Sequence, residues 1–363
     1  MSGTPASGAP PREASAQRVS AFDTRDPIVA PEPLRDPAVR AVLRIIDARA
    51  GAAGRAAYAE AHIEGAVHAD LDRELAGDAS DPTHGGRHPL PTLAQFAQTL
   101  GGWGITEHTP VVIYDAHGGA NAAARLWWML RAVGHRPVWV LDGGYAAAVG
   151  AALPTSAQIE SSAQIEPSAK IEPSAQIEPI AKIEPSAQIE PSAQIEPSAQ
   201  IEPSAQIEPS AQIEPIAQIE PIAPAAAYPV PAEWALATVD LGAVFHARLD
   251  PTWRVLDVRS GARFRGEVEP IDPIAGHIPG ALNVFFEENL DASGRFLGAD
   301  ALREKYRALL GEFGPEQLIV HCGSGVTACH TLLALARAGL DGASLYVGSW
   351  SEWCRHATLP REP

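Results

Sequence analysis

The residues best placed to do chemistry lie in Val320-His321-Cys322-Gly323-Ser324-Gly325-Val326-Thr327-Ala328-Cys329-His330. The apolar run before them, Gln317-Leu318-Ile319-Val320, reads as a short buried strand. The run after them, Thr331-Leu332-Leu333-Ala334-Leu335-Ala336-Arg337-Ala338, reads as a helix. Cys322 therefore sits at the mouth of a strand-to-helix turn that contains two glycines. Such a turn can aim several backbone N–H groups at one point, and the helix N-terminus adds positive potential there. Both effects favour an anion. The spacing predicts a Cys322 thiolate near neutral pH and hence a nucleophile. A buried structural cysteine is the plain alternative. A phosphatase loop, His-Cys-x5-Arg, is another, but Ala328 stands where its arginine would be, and a phosphate dianion would lose its bidentate partner.

The elements that position this loop occur twice. Val42-Leu43-Arg44-Ile45-Ile46-Asp47-Ala48-Arg49 reads as a strand ending in an Asp-x-Arg turn, and Arg254-Val255-Leu256-Asp257-Val258-Arg259 repeats it. Ala61-His62-Ile63-Glu64-Gly65-Ala66 is echoed by Gly276-His277-Ile278-Pro279-Gly280-Ala281. Val111-Val112-Ile113-Tyr114-Asp115 aligns with the strand before Cys322, and Leu141-Asp142-Gly143-Gly144-Tyr145 with Leu345-Tyr346-Val347-Gly348-Ser349-Trp350. Strands alternate with helical stretches at 93–100 and 122–133. That order predicts an α/β fold in two copies, each a parallel sheet covered by helices on both faces. The expected boundaries are a disordered 1–26, a first domain at 27–155, an insert at 156–222 and a second domain at 235–361.

The insert is a hexapeptide array, Ser-Ala-Gln-Ile-Glu-Pro with Lys and Ile variants, repeated eleven times from Ser156 to Pro221. A left-handed β-helix also has a period of six. Here, however, almost every unit carries Pro, none carries Gly or Asn, and each would bury at most one isoleucine, too little to offset the entropy of ordering it. A disordered tract, partly polyproline II, is the expectation. The array holds eleven Glu and two Lys, a net −9 that leaves −8 of the chain's −17 for all the rest. No basic stripe is present, so nucleic acid is not an expected partner. No apolar run approaches the roughly 20 residues of a membrane span. Three scattered cysteines suit neither a disulfide framework nor a metal site, and neither metal nor organic cofactor is implied. A cytoplasmic protein is expected.

The loop Cys322-Gly323-Ser324-Gly325-Val326-Thr327, in its strand–helix context, resembles the active-site loop of the rhodanese superfamily, in the wording of the 3-mercaptopyruvate sulfurtransferase branch. Thiosulfate sulfurtransferases come next. The duplicated pattern resembles tandem-domain members, in which the C-terminal copy carries the cysteine. Asp115-Ala116-His117-Gly118-Gly119 has no thiol, so the first domain is expected to be catalytically silent. The resemblance implies a Cys322 persulfide, with the amides around Gly323, Gly325, Val326 and Thr327 cradling donor and sulfur. It places Arg263 as the handle for the donor's anion. Ser324, two residues past the nucleophile, can donate a hydrogen bond. His62 is placed at the domain interface, where it could pass a proton with Ser324, although Glu64 replaces the family's Pro; no acidic third member is identified. Thr327 is expected to cap the helix. Arg259 is expected to pair with Asp257, and His277, His321, Trp350 and Trp353 to be structural.

Two departures bear on the donor. The mercaptopyruvate branch has a second arginine after Glu-Pro, where this chain has Glu269-Pro270-Ile271. Thiosulfate enzymes carry positive residues inside the loop, where this chain has Gly323 and Ser324. Mercaptopyruvate is ranked ahead of thiosulfate, with cyanide, a thiol or a thioredoxin-like protein as acceptor. A sulfur-relay carrier and a non-catalytic binding module are the alternative functions.

Overall fold

The computed structural model describes residues 22–120, 122–157 and 227–363. The expectations for the hexapeptide array beyond its first two residues, and for the N-terminus up to residue 21, lie outside these. Phe22, inside the stretch expected to be disordered, is buried edge-on against Trp139 with ring centroids 5.2 Å apart. One aromatic contact in the first domain's core is enough to fix the chain there, well before residue 27.

The first sheet joins β1 (Ile28–Val29), β2 (Arg44–Asp47), β4 (Val67–His68), β5 (Val111–Tyr114) and β6 (Val138–Leu141) in the order β4-β2-β5-β6-β1. The second joins β8 (Thr238–Val239), β9 (Arg254–Asp257), β10 (Leu282–Asn283), β11 (Leu318–His321) and β12 (Ser344–Tyr346) in the order β10-β9-β11-β12-β8. Every pairing in both is parallel, and the two orders correspond strand for strand. A short β3 (His62–Ile63) pairs antiparallel with β7 (Thr155–Ser156).

The central strands are buried along their whole length because both sheet faces are covered. Side-chain alternation sorts their residues. Val111 and Ile113 pack with α2 (Leu93–Gly102) and α3 (Ala122–Ala132), and Val112 and Tyr114 with Ala148 of α4 (Gly144–Gly150). In the second domain, Leu318 and Val320 pack with α7 (Ala299–Leu310) and α8 (Ala328–Arg337). Ile319 packs with α5 (Leu241–Ala247) and α9 (Ser349–Trp353). Helices α3 and α8 pack against each other, so one hydrophobic core runs through both domains.

Each domain is pinned by a buried pair that the duplication copies. Arg49 Nη2 lies 2.6 Å from Asp47 Oδ2, and Arg259 Nη2 lies 2.6 Å from Asp257 Oδ2. Burial alone would raise the Asp257 carboxyl, but His321 and Arg259 beside it hold it below the usual carboxylate range. Removing one member would strand a buried charge, at a cost of about 3–5 kcal/mol. The expected Arg259–Asp257 pairing is thus found. Trp350 and Trp353 are fully buried, and their indole N–H groups donate to Ile274 O and Pro360 O.

Candidate active site

Cys322 immediately follows the central strand β11, where the open end of a parallel sheet creates a crevice. The loop from Cys322 to Thr327 then runs into α8. Its carbonyls are tied down on the outside. Cys322 O accepts from Trp350 N at 3.0 Å, and Gly323 O from Ser351 N at 2.9 Å. Gly325 O accepts from Arg125 Nη1 at 3.2 Å and from Cys329 Sγ at 3.3 Å. In a trans peptide the N–H points opposite to the C=O. The amides of Gly323, Ser324 and Val326 therefore turn to the loop's inner side. Among the described residues, none of the amides from Gly323 to Thr327 donates to a protein acceptor. A ring of inward donors without protein acceptors is an anion cradle.

Gly325 is needed here. Its φ is +74°, and an added Cβ would lie 2.5 Å from Val347 O. Ser349 adopts a left-handed φ of 54° without being glycine. Its Oγ accepts from Cys322 N at 3.2 Å and donates to Tyr346 O at 2.9 Å, so the strained residue anchors the nucleophile's own backbone. Thr327 occupies the position just before α8 but makes no side-chain capping bond, unlike the expectation; the amides it would cap, Cys329 N and His330 N, donate instead to Val326 O and Thr327 O at 3.1 Å.

The first domain shows what the same turn does without a thiol. Asp115 Oδ1 accepts from His117 N at 2.8 Å and Gly119 N at 2.9 Å, and its Oδ2 from Ala123 N at 3.3 Å. A built-in carboxylate fills the cradle that Cys322 occupies in the second domain.

Cys322 is only 1% exposed. The other two thiols are buried too, and burial pushes Cys329 up to about 12 and raises Cys354 as well. Ser324 is buried, and its Oγ lies 2.8 Å from His88 Nδ1. His88 Nε2 lies 3.2 Å from Asp72 Oδ1. An ionised Asp72 can only accept, which puts the proton on Nε2 and leaves Nδ1 to accept from the Ser324 hydroxyl. Burial lowers the His88 pKa, while Asp72 pushes it back up.

His62 does not take the position expected of it. Its Nδ1 lies 2.8 Å from Tyr58 O, its Nε2 3.1 Å from Ser156 Oγ, and its ring stacks on Tyr58 at 4.1 Å. Its copy in the second domain does the same: His277 Nδ1 lies 2.8 Å from Phe264 O, and the ring stacks on Phe264 at 3.7 Å. Both are duplicated structural histidines. The ring that reaches Ser324 belongs to His88, and the acidic partner is Asp72. The sequence did carry a signal, since Gly85-Gly86-Arg87-His88-Pro89 sets two polar residues in a Gly- and Pro-bounded stretch with no repeat counterpart.

That loop is held against the second domain. Gly85 N donates to Glu352 Oε1 at 2.8 Å, Arg87 N to Ser351 Oγ at 3.1 Å, and His356 Nε2 lies 2.9 Å from Thr83 O. Gly86 approaches so closely that an added Cβ would lie 2.4 Å from Gly348 O. The fully buried Arg125 of α3 reaches both partners, donating to Gly325 O and, at 3.1 Å, to His88 O.

Arg263, on the short helix α6 (Gly261–Phe264), stands over Gly323; a Cβ built on that glycine would lie 3.4 Å from its Nη1 and Nη2. Glu269 orients it, with Oε1 2.7 Å from Nη2. Ile271 is 58% exposed and contributes through its backbone, its N–H donating to Glu269 Oε1 at 3.1 Å. A cavity of about 610 Å³ lies beside the loop, between the thiol-free Asp115 turn and 286–294; Thr327 lines it, but Cys322, Ser324 and Arg263 do not.

This architecture, two copies of one parallel α/β domain with a cradled thiol in the second, is that of a tandem rhodanese. Residues 30–151 and 243–356 each match the rhodanese-like domain family, and the chain belongs to that family. It is 37% identical over 313 residues to the probable 3-mercaptopyruvate sulfurtransferase of Pseudomonas aeruginosa, covering 85% of this chain and 86% of that one. It is 31% identical over 309 residues to the mitochondrial thiosulfate/3-mercaptopyruvate sulfurtransferase of Arabidopsis thaliana, covering 84% and 68%. The solved 3-mercaptopyruvate sulfurtransferase of Leishmania major superposes with a TM-score of 0.64 at 25% identity, covering 91% and 74%. No helix among the described residues is long and apolar enough to cross a membrane.

Proposed function

We propose that the protein is a sulfurtransferase that takes sulfane sulfur from 3-mercaptopyruvate, and less readily from thiosulfate, onto Cys322, and passes it to cyanide or a thiol acceptor. The observation that carries this reading is the buried thiol inside a ring of inward amides with a Ser324–His88–Asp72 relay beside it. The thiolate attacks the donor's sulfur, the donor's C–S bond breaks, and the electron pair leaves with the pyruvate enolate. In net, the proton of the donor's thiol ends on the methyl carbon of pyruvate. Ser324 and His88 carry that proton from sulfur to carbon, and Asp72 orients the imidazole. The amides of Gly323, Ser324 and Val326 stabilise thiolate and persulfide alike, since both are anions. Gly325 and Thr327 shape the cradle, and Arg263 binds the donor's anionic group. The persulfide then gives its outer sulfur to cyanide as thiocyanate, restoring the thiolate. Buried reduced thiols suit a reducing compartment, and we place the protein in the cytoplasm with a thioredoxin-like acceptor.

The test is direct. Donor treatment should add one sulfur, about 32 Da, to Cys322 alone, by the covalent mechanism. Cyanide should then remove it as thiocyanate at turnover rates. Persulfide on Cys329 or Cys354, or none at all, would sink the proposal. Loading without small-molecule turnover would favour the relay-carrier alternative.

The relay also predicts a pH effect. His88 must be neutral to accept the donor's proton. Its lowered pKa keeps it so below the ordinary histidine value of about 6.5. The Asp72 charge favours the imidazolium, so Asp72→Asn should move the acid limb to still lower pH while lowering the plateau. The quantity to follow is the ratio of kcat/KM for mercaptopyruvate to that for thiosulfate, which cancels the thiol both share. An acid limb that moves to higher pH would contradict the assignment.

A further inference from the structure

Among the described residues, three arginines are buried: Arg49, Arg125 and Arg259. Arg49 and Arg259 each meet an aspartate. Arg125 of α3 is the most deeply buried of the three, and no described carboxylate forms an ion pair with it. Its guanidinium donates to carbonyl oxygens instead: Gly325 O at 3.2 Å, His88 O at 3.1 Å and Pro89 O at 3.5 Å. Its Nε has no acceptor among the described residues. A guanidinium keeps its proton in a protein, and a buried charge without a counter-charge is costly. An anion therefore belongs near Arg125, and the turn at 322–327 is where one would form. Two thiols stand there. Cys329 Sγ donates to the same Gly325 O, and burial pushes that thiol up to about 12, so it stays neutral. That leaves the sulfur of Cys322. Burial lowers the Arg125 pKa, and the Cys329 and Cys322 sulfurs pull it back up.

The other charged groups around the turn have partners of their own. Arg87 and Arg355 pair with Asp272, Arg259 with Asp257, and Arg263 with Glu269. His88 has Asp72 behind it, and Glu352 of α9 accepts from Gly85 N. His321 and His330 are fully buried, and burial favours the neutral imidazole in both. Arg125 reaches the sulfur through one peptide. Gly325 O and Val326 N–H belong to the same planar unit and point opposite ways. Arg125 holds the oxygen end, while the N–H end turns into the cradle. A charged donor on a carbonyl polarises the peptide and makes its N–H a stronger donor.

We infer that Arg125 is a positioning residue of the nucleophile. Its charge, set by the first domain on the outer side of the turn, is the counter-charge of the Cys322 thiolate and persulfide and acts through the Gly325–Val326 peptide. The inference deepens the sulfurtransferase reading and rests on it for the persulfide alone.

The test follows alkylation of Cys322 by iodoacetamide, an uncharged reagent, against pH in the full-length protein, with the site located by peptide mass. Arg125→Gln can still donate to Gly325 O but carries no charge. At about pH 6 it should alkylate roughly tenfold more slowly than the wild type, the change in thiolate population that one nearby cation brings. At about pH 10, above the ordinary thiol range, the two rates should agree within about threefold. Arg125→Lys keeps the charge and should stay within about threefold of the wild type at both. A residue that only braces the turn would change access, and Arg125→Gln would then lose the same factor at every pH. That result, no loss at all, or equal losses in the Gln and Lys variants overturns the inference. If Arg125→Gln does not fold, Arg125→Met, which buries no polar group, replaces it with the same expectation. A further check needs no variant at 125. The thiolate ultraviolet absorbance of the wild type at neutral pH, less that of Cys322→Ser, should be present, and its absence would leave Arg125 no anion to balance. If alkylation follows the expected pattern while neither mercaptopyruvate nor thiosulfate forms a persulfide, the sulfurtransferase reading fails and Arg125 stands as the counter-charge of the thiolate.

Discussion

Cys322→Ser should abolish sulfur transfer from both donors, a loss on the order of 10⁴-fold or more, while the protein melts at nearly the wild-type temperature. A nucleophile acts as a unit with its cradle and relay, so its removal costs nearly the whole rate. Serine's hydroxyl is far less acidic than a thiol and far less nucleophilic toward sulfur. The variant should still fold, because the loop is held by its backbone. The bonds from Ser349 Oγ, Trp350 N and Ser351 N do not involve the Cys322 side chain. Neither remaining thiol can take over. Cys329 donates to Gly325 O from the buried face of α8, and burial raises the pKa of both Cys329 and Cys354. Thiocyanate production and the mass of the donor-treated protein decide the matter. Residual activity near wild type would move the nucleophile elsewhere.

The second large effect is selective. His88→Ala should lower kcat/KM for mercaptopyruvate by roughly 10²- to 10⁴-fold, the range of general acid–base catalysis. Thiosulfate should change by only a few-fold. The asymmetry follows from the atoms. When a thiolate takes the outer sulfur of thiosulfate, sulfite leaves with its charge and no proton moves. When it takes the sulfur of mercaptopyruvate, a proton must travel from sulfur to carbon. Ser324→Ala should show the same asymmetry, because Ser324 Oγ is the group His88 Nδ1 meets at 2.8 Å. The measurement is the ratio of the two kcat/KM values in each variant. An equal loss with both donors would mean that His88 supports the loop mechanically and moves no proton. In His62→Ala the ratio should not change, since that ring is spent on Tyr58 O and Ser156 Oγ.

The fold was legible because its signals are local. Val111–Tyr114 and Leu318–His321 are unbroken apolar runs, as strands covered on both faces must be, and the Asp-x-Arg turns that close β2 and β9 recur in the sequence as they do in space. The thiol was legible for the same reason, since its cradle is built from the residues that follow it. The relay was not. Ser324 and His88 are 236 residues apart, and only docking of the two domains joins them. His62 drew attention because its motif is duplicated, yet duplication argues the other way: a residue copied into both domains, as His62 and His277 are, serves what both domains share, which is their fold. His88 has no counterpart in the second domain, and that asymmetry marks it. Thr327 misled for a different reason. Its position before α8 fits a cap, but its own backbone is already helical and the first helix amides turn back to Val326 O and Thr327 O, so nothing is left for the hydroxyl to cap.

The loop at 83–88 also bears on how such a chain can evolve. Duplication usually frees one copy to drift or to be discarded. Here the copy without a thiol sets His88 against Ser324 of the other, with Asp72 behind it, and braces its turn through Arg125. The two halves have become a composite, with the reagent on one and the tools on the other. The second half alone would keep the thiol and its turn but lose the imidazole that meets Ser324 and the guanidinium that holds Gly325 O. The 83–88 loop and the 322–327 turn therefore behave as one unit across the seam, and a change in either is felt at the same thiol.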